Sequence, residues 1–94
     1  MSILVVERAG PALHLVLNRP ELRNAISSEL AERATAEVVR AGSDPGCRVI
    51  VLRGAGGCFS AGTDLKERRQ LDADGKWAQS RKGWALVRAI LDCP

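Results

Sequence analysis

Apolar and polar positions change their period several times along the chain, and each change marks an element. Residues 3–6 (ILVV) form a short apolar run, Gly10-Pro11 is a turn signal, and residues 12–17 (ALHLVL) form a second run. Together they predict a hairpin. Asn18-Arg19-Pro20 stops the second strand, because proline lacks a ladder N–H and restricts the residue before it. Residues 21–25 are a connecting segment. Ser27 or Ser28 can then cap a helix in which Leu30, Ala34, Val38 and Ala41 recur at helical spacing, Glu29 and Arg33 sit on the polar side, and Gly42 closes the end. After a turn at residues 43–46, Val49-Ile50-Val51-Leu52 is an uninterrupted apolar run. It predicts a strand buried on both faces, hence parallel pairing in a covered sheet. Strand, helix and strand make a crossover unit, whose functional sites lie at the carboxyl edge.

At that edge stands residues 54–65, GAGGCFSAGTDL, a glycine-dense loop. Beyond it Thr63 or Asp64 can cap a short helix through Lys66, Glu67 and Arg68, which Asp72-Ala73-Asp74-Gly75 interrupts. A longer helix is expected over about residues 76–91. Trp77, Trp84 and Leu91, seven apart, join Val87 in one stripe that predicts core or interface.

Composition narrows the class without naming a chemistry. The 94 residues allow one domain, and a domain of this size buries roughly two-thirds of its unfolded surface. A hydrophobic share of 46% with 27% charged residues is that of a globular chain. The formal charge of +3 comes with Arg and Lys scattered along the sequence, so nucleic acid is not an expected partner. Met1-Ser2 is followed by only four apolar residues before Glu7, which predicts neither a signal peptide nor a membrane span, and the expected compartment is the cytoplasm. Cys47, Cys58 and Cys93 lack the close spacing of a zinc or redox motif and read as reduced structural thiols, with no metal expected. His14, the only histidine, lies inside a strand pattern and reads as structural.

Four chemistries use a glycine-rich loop at a strand end. In a dinucleotide fingerprint Phe59 would stand where the third glycine belongs, and a phosphate loop lacks its Gly-Lys-Ser/Thr ending. A nucleophile elbow centred on Ser60 has Cys58 in place of its first glycine, and no histidine follows to complete a triad. The fourth chemistry needs no side-chain nucleophile: a backbone N–H in Phe59-Ser60-Ala61-Gly62 donates to an oxygen that gains enolate charge, forming half of an oxyanion hole.

Leu17-Asn18-Arg19-Pro20 with Asn24-Ala25, then residues 48–54 (RVIVLRG), then residues 59–67 (FSAGTDLKE), in this order and spacing, resemble the amino-terminal part of the crotonase family, the enoyl-CoA hydratase/isomerase superfamily. The resemblance runs from about Ile3 to Pro94. It implies an α/β fold, a crotonase-like ββα spiral that is incomplete here, with residues 1–94 as the amino-terminal part of a single domain. It also implies an acyl-CoA thioester as substrate, coenzyme A entering only as part of that substrate, and a full-length parent that is a homotrimer or hexamer. Ala61 would give the first oxyanion donor, Gly62, Thr63 and Asp64 would line the substrate, and Leu22 and Arg23 would meet the nucleotide end of coenzyme A. Asp64 would cap the following helix. The second donor and the acid/base glutamates of hydratases would lie beyond Pro94, so these residues alone are expected to be inactive. The rival readings are a non-catalytic acyl-CoA binding or assembly module and a serine hydrolase using Ser60.

Overall fold

The computed structural model describes residues 2–93. Strands β1 (Leu4–Ala9) and β2 (Ala12–Leu17) form the expected hairpin, with Leu4 opposite Leu17 and Glu7 opposite His14. Gly10 turns the chain at φ 59, a conformation glycine adopts without steric penalty. The crossover helix α1 (Ser28–Gly42) returns the chain to β3 (Val49–Gly54), which pairs parallel to β2 with Leu13 opposite Ile50 and Leu15 opposite Leu52. The sheet order is β1-β2-β3. A short α2 (Leu65–Arg69) and a long α3 (Ala73–Leu91) complete the chain.

Side chains alternate across a strand, so one face of the sheet carries Leu4, Leu13, Leu15 and Leu17 together with Ile50 and Leu52. The four leucines are buried against Leu30, Ala34, Val38 and Ala41 of α1, and Leu86 of α3 joins the same core. Ser27 is the cap of α1: its hydroxyl accepts from Leu30 N at 3.2 Å. At the surface Lys82 of α3 meets Glu32 of α1 at 2.7 Å, an exposed pair worth about 0–1 kcal/mol.

Three expectations change. β3 pairs in parallel as predicted but is not buried on both faces: Val49 is 49% exposed, because among the described residues helices cover only one face and β3 lies at the sheet edge. The tryptophan stripe, expected as core or interface, is not core within this chain, with Trp77, Trp84, Val87 and Leu91 all exposed. α3 instead buries Gln79 and Leu86, another pair seven apart, turned away from the tryptophans. Finally, α3 begins three residues earlier than expected. Asp72 accepts from Gly75 N at 2.7 Å and so starts the helix that its segment was predicted to interrupt.

Candidate functional site

The glycine loop leaves β3 through a 3-10 turn at Ala55–Gly57, in which Gly56 has φ 79. It is held by the segment after β2, which makes its own 3-10 turn at Pro20–Leu22. Arg23 and Asn24 follow, both left-handed at φ 55 and φ 57. Asparagine tolerates this region better than most side chains, since its amide can bond locally.

Asn24 is fully buried, and its side chain is bonded at both ends. Oδ1 accepts from Arg19 N at 2.7 Å, while Nδ2 donates to Ala55 O at 2.9 Å and Cys58 O at 2.6 Å. Its own carbonyl accepts from the Ser60 hydroxyl at 2.8 Å. One residue thus ties the connecting segment to the loop at three points. Asn24 stands within the sequence signature, but its left-handed φ and its long-range carbonyl partners are not visible there.

The backbone donors of the loop can be accounted for one by one. Ala61 N donates to Arg23 O at 2.8 Å, and Gly62 N donates to Ser60 Oγ at 3.0 Å. Asp64 N donates to Ile26 O at 3.0 Å, and Ile26 N returns a bond to Gly62 O at 2.7 Å. Thr63 therefore pairs with Ile26 as a parallel bridge in which its own N–H faces away from that partner. No described residue accepts a bond from Thr63 N. The N–H expected to be the donor, that of Ala61, is thus engaged inside the fold, whereas that of Thr63 has no acceptor among the described residues.

Thr63 and Gly62 border a cleft of about 370 Å³ between the start of α1 and the middle of α3. Ile26 and Ala31 form one wall, and Gly83, Trp84 and Val87 the other. Ala61, Asp64, Leu22 and Arg23 do not line it. Leu22 and Arg23 are exposed, and Arg23 contributes the carbonyl that holds Ala61. Ser60, the nucleophile of the hydrolase reading, has its hydroxyl bonded between Asn24 O and Gly62 N and so serves the loop's shape.

Below Thr63 a polar cluster fixes the loop's exit. Asp64 Oδ1 accepts from Glu67 N at 3.1 Å and caps α2, and Oδ2 meets Arg19 Nη1 at 3.1 Å. Arg19 also donates to Ala25 O at 2.6 Å. Glu67 Oε1 receives Ser28 N at 2.9 Å, Ser28 Oγ at 3.0 Å and Gln79 Nε2 at 2.8 Å, and Gln79 reaches Asp64 O at 3.2 Å. Buried Gln79 is thereby satisfied, and α1, α2 and α3 are joined at one carboxylate. Neither Glu67 nor Gln79 stands out in an apolar-period reading, because each is polar and bonded across elements.

Burial pushes the Asp64 carboxyl up, but the Glu67 N–H and Arg19 together outweigh this and hold it below the ordinary aspartate value. The ionised form therefore stabilises the fold above the ordinary range near about 4, and that contribution is lost as pH falls through the lowered value. Asp64→Asn is expected to be less stable than the wild type at neutral pH, with the difference shrinking on acidification in urea titrations. Asp44, lowered by Arg8 and the Gly46 N–H, titrates in both proteins and cancels. A difference that stays constant into acid would refute this role for Asp64.

Residues 8–94 match the enoyl-CoA hydratase/isomerase family. The chain is 37% identical over 87 residues to the enoyl-CoA hydratase EchA19 of Mycobacterium tuberculosis, covering 93% of this chain and 33% of that protein. It is 36% identical over 91 residues to the 2,3-dehydroadipyl-CoA hydratase of Escherichia coli, covering 96% and 36% respectively. Among solved structures it is similar to Pseudomonas aeruginosa AtuE, with TM-score 0.91 and 31% identity over 99% of this chain and 37% of that one. The chain spans about a third of the length of these curated relatives. No helix among the described residues is long and apolar enough to cross a membrane.

Proposed function

The chain belongs to the enoyl-CoA hydratase/isomerase family, and from that premise we propose that it forms the acyl-CoA-binding half of an oxyanion site, with Thr63 N–H as the donor. The thioester oxygen accepts this N–H and gains negative charge as the substrate becomes an enolate. A preorganised donor beside an apolar cleft favours that charge because no solvent has to reorganise around it. Gly62 and Asp64 hold Thr63 in the bridge to Ile26, and Ala61 anchors the loop through Arg23 O. Leu22 and the exposed Arg23 side chain are assigned to the nucleotide end of coenzyme A, where a guanidinium suits a phosphate.

One observation carries this reading. Of the N–H groups of Ala61, Gly62, Thr63 and Asp64, only that of Thr63 has no acceptor among the described residues, and Thr63 lines the apolar cleft.

Among the described residues the same cleft has no acid or base. Its polar side chains are those of Ser27, Thr63, Gln79 and Ser80, none of which is a carboxylate or imidazole that could take or give the proton. Loss of a single oxyanion donor already costs about a hundredfold to a thousandfold in rate. With one donor and no proton-transfer group, these residues bind but do not turn over.

The test is a titration of the isotope-labelled chain with crotonyl-CoA, followed by amide NMR and by a hydration assay. The Thr63 N–H resonance is expected to move strongly downfield while that of Ala61 stays still, and hydration is expected to remain at the buffer rate. Movement of Ala61 without Thr63, or turnover above buffer, would overturn the proposal.

A further inference from the structure

We infer that Gly83 is the specificity-determining residue of the cleft, the position whose missing side chain lets an extended apolar acyl group pass from Thr63 toward Trp84 and Val87. The inference rests on the reading of Thr63 as the thioester donor and adds the direction and size limit of the acyl group.

Gly83 lies inside α3, where glycine is among the poorest helix formers. A packing reason is missing: a Cβ built on Gly83 would meet no heavy atom within 4 Å. Gly75, in the same helix, differs, because its Cβ would press on Leu71 Cβ at 3.1 Å. What a side chain at Gly83 would enter is the cleft it lines.

The helix face sets the direction. Gln79, Gly83 and Val87 follow at intervals of four and wind along the cleft side of α3 from its buried face toward its exposed one. The Gln79 end is tied to the donor loop through Asp64 O at 3.2 Å. The other end is apolar, with Val87 and Trp84 exposed along it. A thioester oxygen held at Thr63 therefore sends its acyl group past Gly83 onto Val87 and the indole. The matching ligand is an acyl-CoA with an extended apolar tail; acetyl-CoA stops short of Gly83.

Calorimetric titration of the full chain and its Gly83→Leu variant with acetyl-CoA and octanoyl-CoA tests this. Leucine is a better helix former than glycine, so the variant is expected to melt no lower than the wild type. Octanoyl-CoA should bind the variant about tenfold or more weakly, as loss of apolar pocket space implies, with acetyl-CoA unchanged. Gly83→Ala should shift octanoyl-CoA in the same direction by less, which keeps the test open should the leucine variant fold poorly. Equal loss for both thioesters, or no loss for octanoyl-CoA, overturns the inference while the Thr63 amide shift still stands. If the wild type binds neither thioester and Thr63 does not respond, the donor reading falls and this inference with it.

Discussion

Gly54→Ala is expected to destabilise the chain by about 3 kcal/mol or more, at the upper end of what overpacking does. The cause is proximity, since φ at Gly54 is an ordinary −114°. A Cβ there would overlap the carbonyl oxygens of Cys58 and Phe59 and lie 2.7 Å from Asn24 Nδ2. Two of these obstacles are backbone, so no rotamer change relieves them. The loop would have to leave the strand end, taking its bonds to Asn24 with it. Folds of this size are stable by about 5–14 kcal/mol, so the loss is a large fraction. Gly57→Ala is the control. Its φ of 85 strains an alanine, but its Cβ meets nothing, and the expected cost is about 1–2 kcal/mol. Urea midpoints of the two variants compare close approach with backbone strain. Equal, small shifts would mean that the Gly54 contact is not rigid.

Asn24→Ala is the second large effect, expected at about 3–5 kcal/mol. The substitution leaves Arg19 N without its acceptor and the Ala55 and Cys58 carbonyls without their donor. A buried polar group left unpaired costs about 1–3 kcal/mol. Alanine also bears a left-handed penalty of about 1–2 kcal/mol that asparagine partly escapes. Asn24→Gly removes the same bonds but suits φ 57, so it should recover about 1 kcal/mol of the alanine loss. In both variants hydrogen exchange at residues 55–62 should accelerate before that of the β1-β2 hairpin, because the connection to the loop is what has been cut. Uniform acceleration across the chain would argue against Asn24 as the tie between the two segments.

Elements whose cause is local are the ones the sequence discloses. The hairpin follows from two apolar runs around Gly10-Pro11, α1 from its period and its serine cap, and the parallel β3 from four consecutive apolar residues. β1 runs further than its apolar run because Glu7, Arg8 and Ala9 continue the ladder while exposed at the sheet's edge. The α3 register is hidden for a different reason. Tryptophan outweighs glutamine in any hydrophobic count, yet Gln79 is the residue buried, since Glu67 and Asp64 satisfy its amide.

The candidate site divides in the same way. Glycine density and position at a strand end identify the loop, and the resemblance identifies the family. Which N–H remains open depends on acceptors far away in sequence: Arg23 O takes Ala61, and Ile26 O takes Asp64. In the proposed site the donor is therefore Thr63, two residues beyond the alanine that the resemblance implied. The acyl-facing role of Gly83 is likewise a property of empty space beside a helix, which residue identity does not express.

The position of β3 carries a consequence for handling the protein. Among the described residues it bonds to β2 on one side only, leaving the other row of amides and carbonyls as a template for a further strand. Val49-Ile50-Val51-Leu52 joins that template to high β-propensity, the combination that promotes growth of ordered aggregates. Arg48 and Arg53 bracket the run as charged gatekeepers that oppose stacking of like chains. Their charge repulsion is screened by salt. Low ionic strength is therefore the condition under which this strand is best kept from recruiting its own copies.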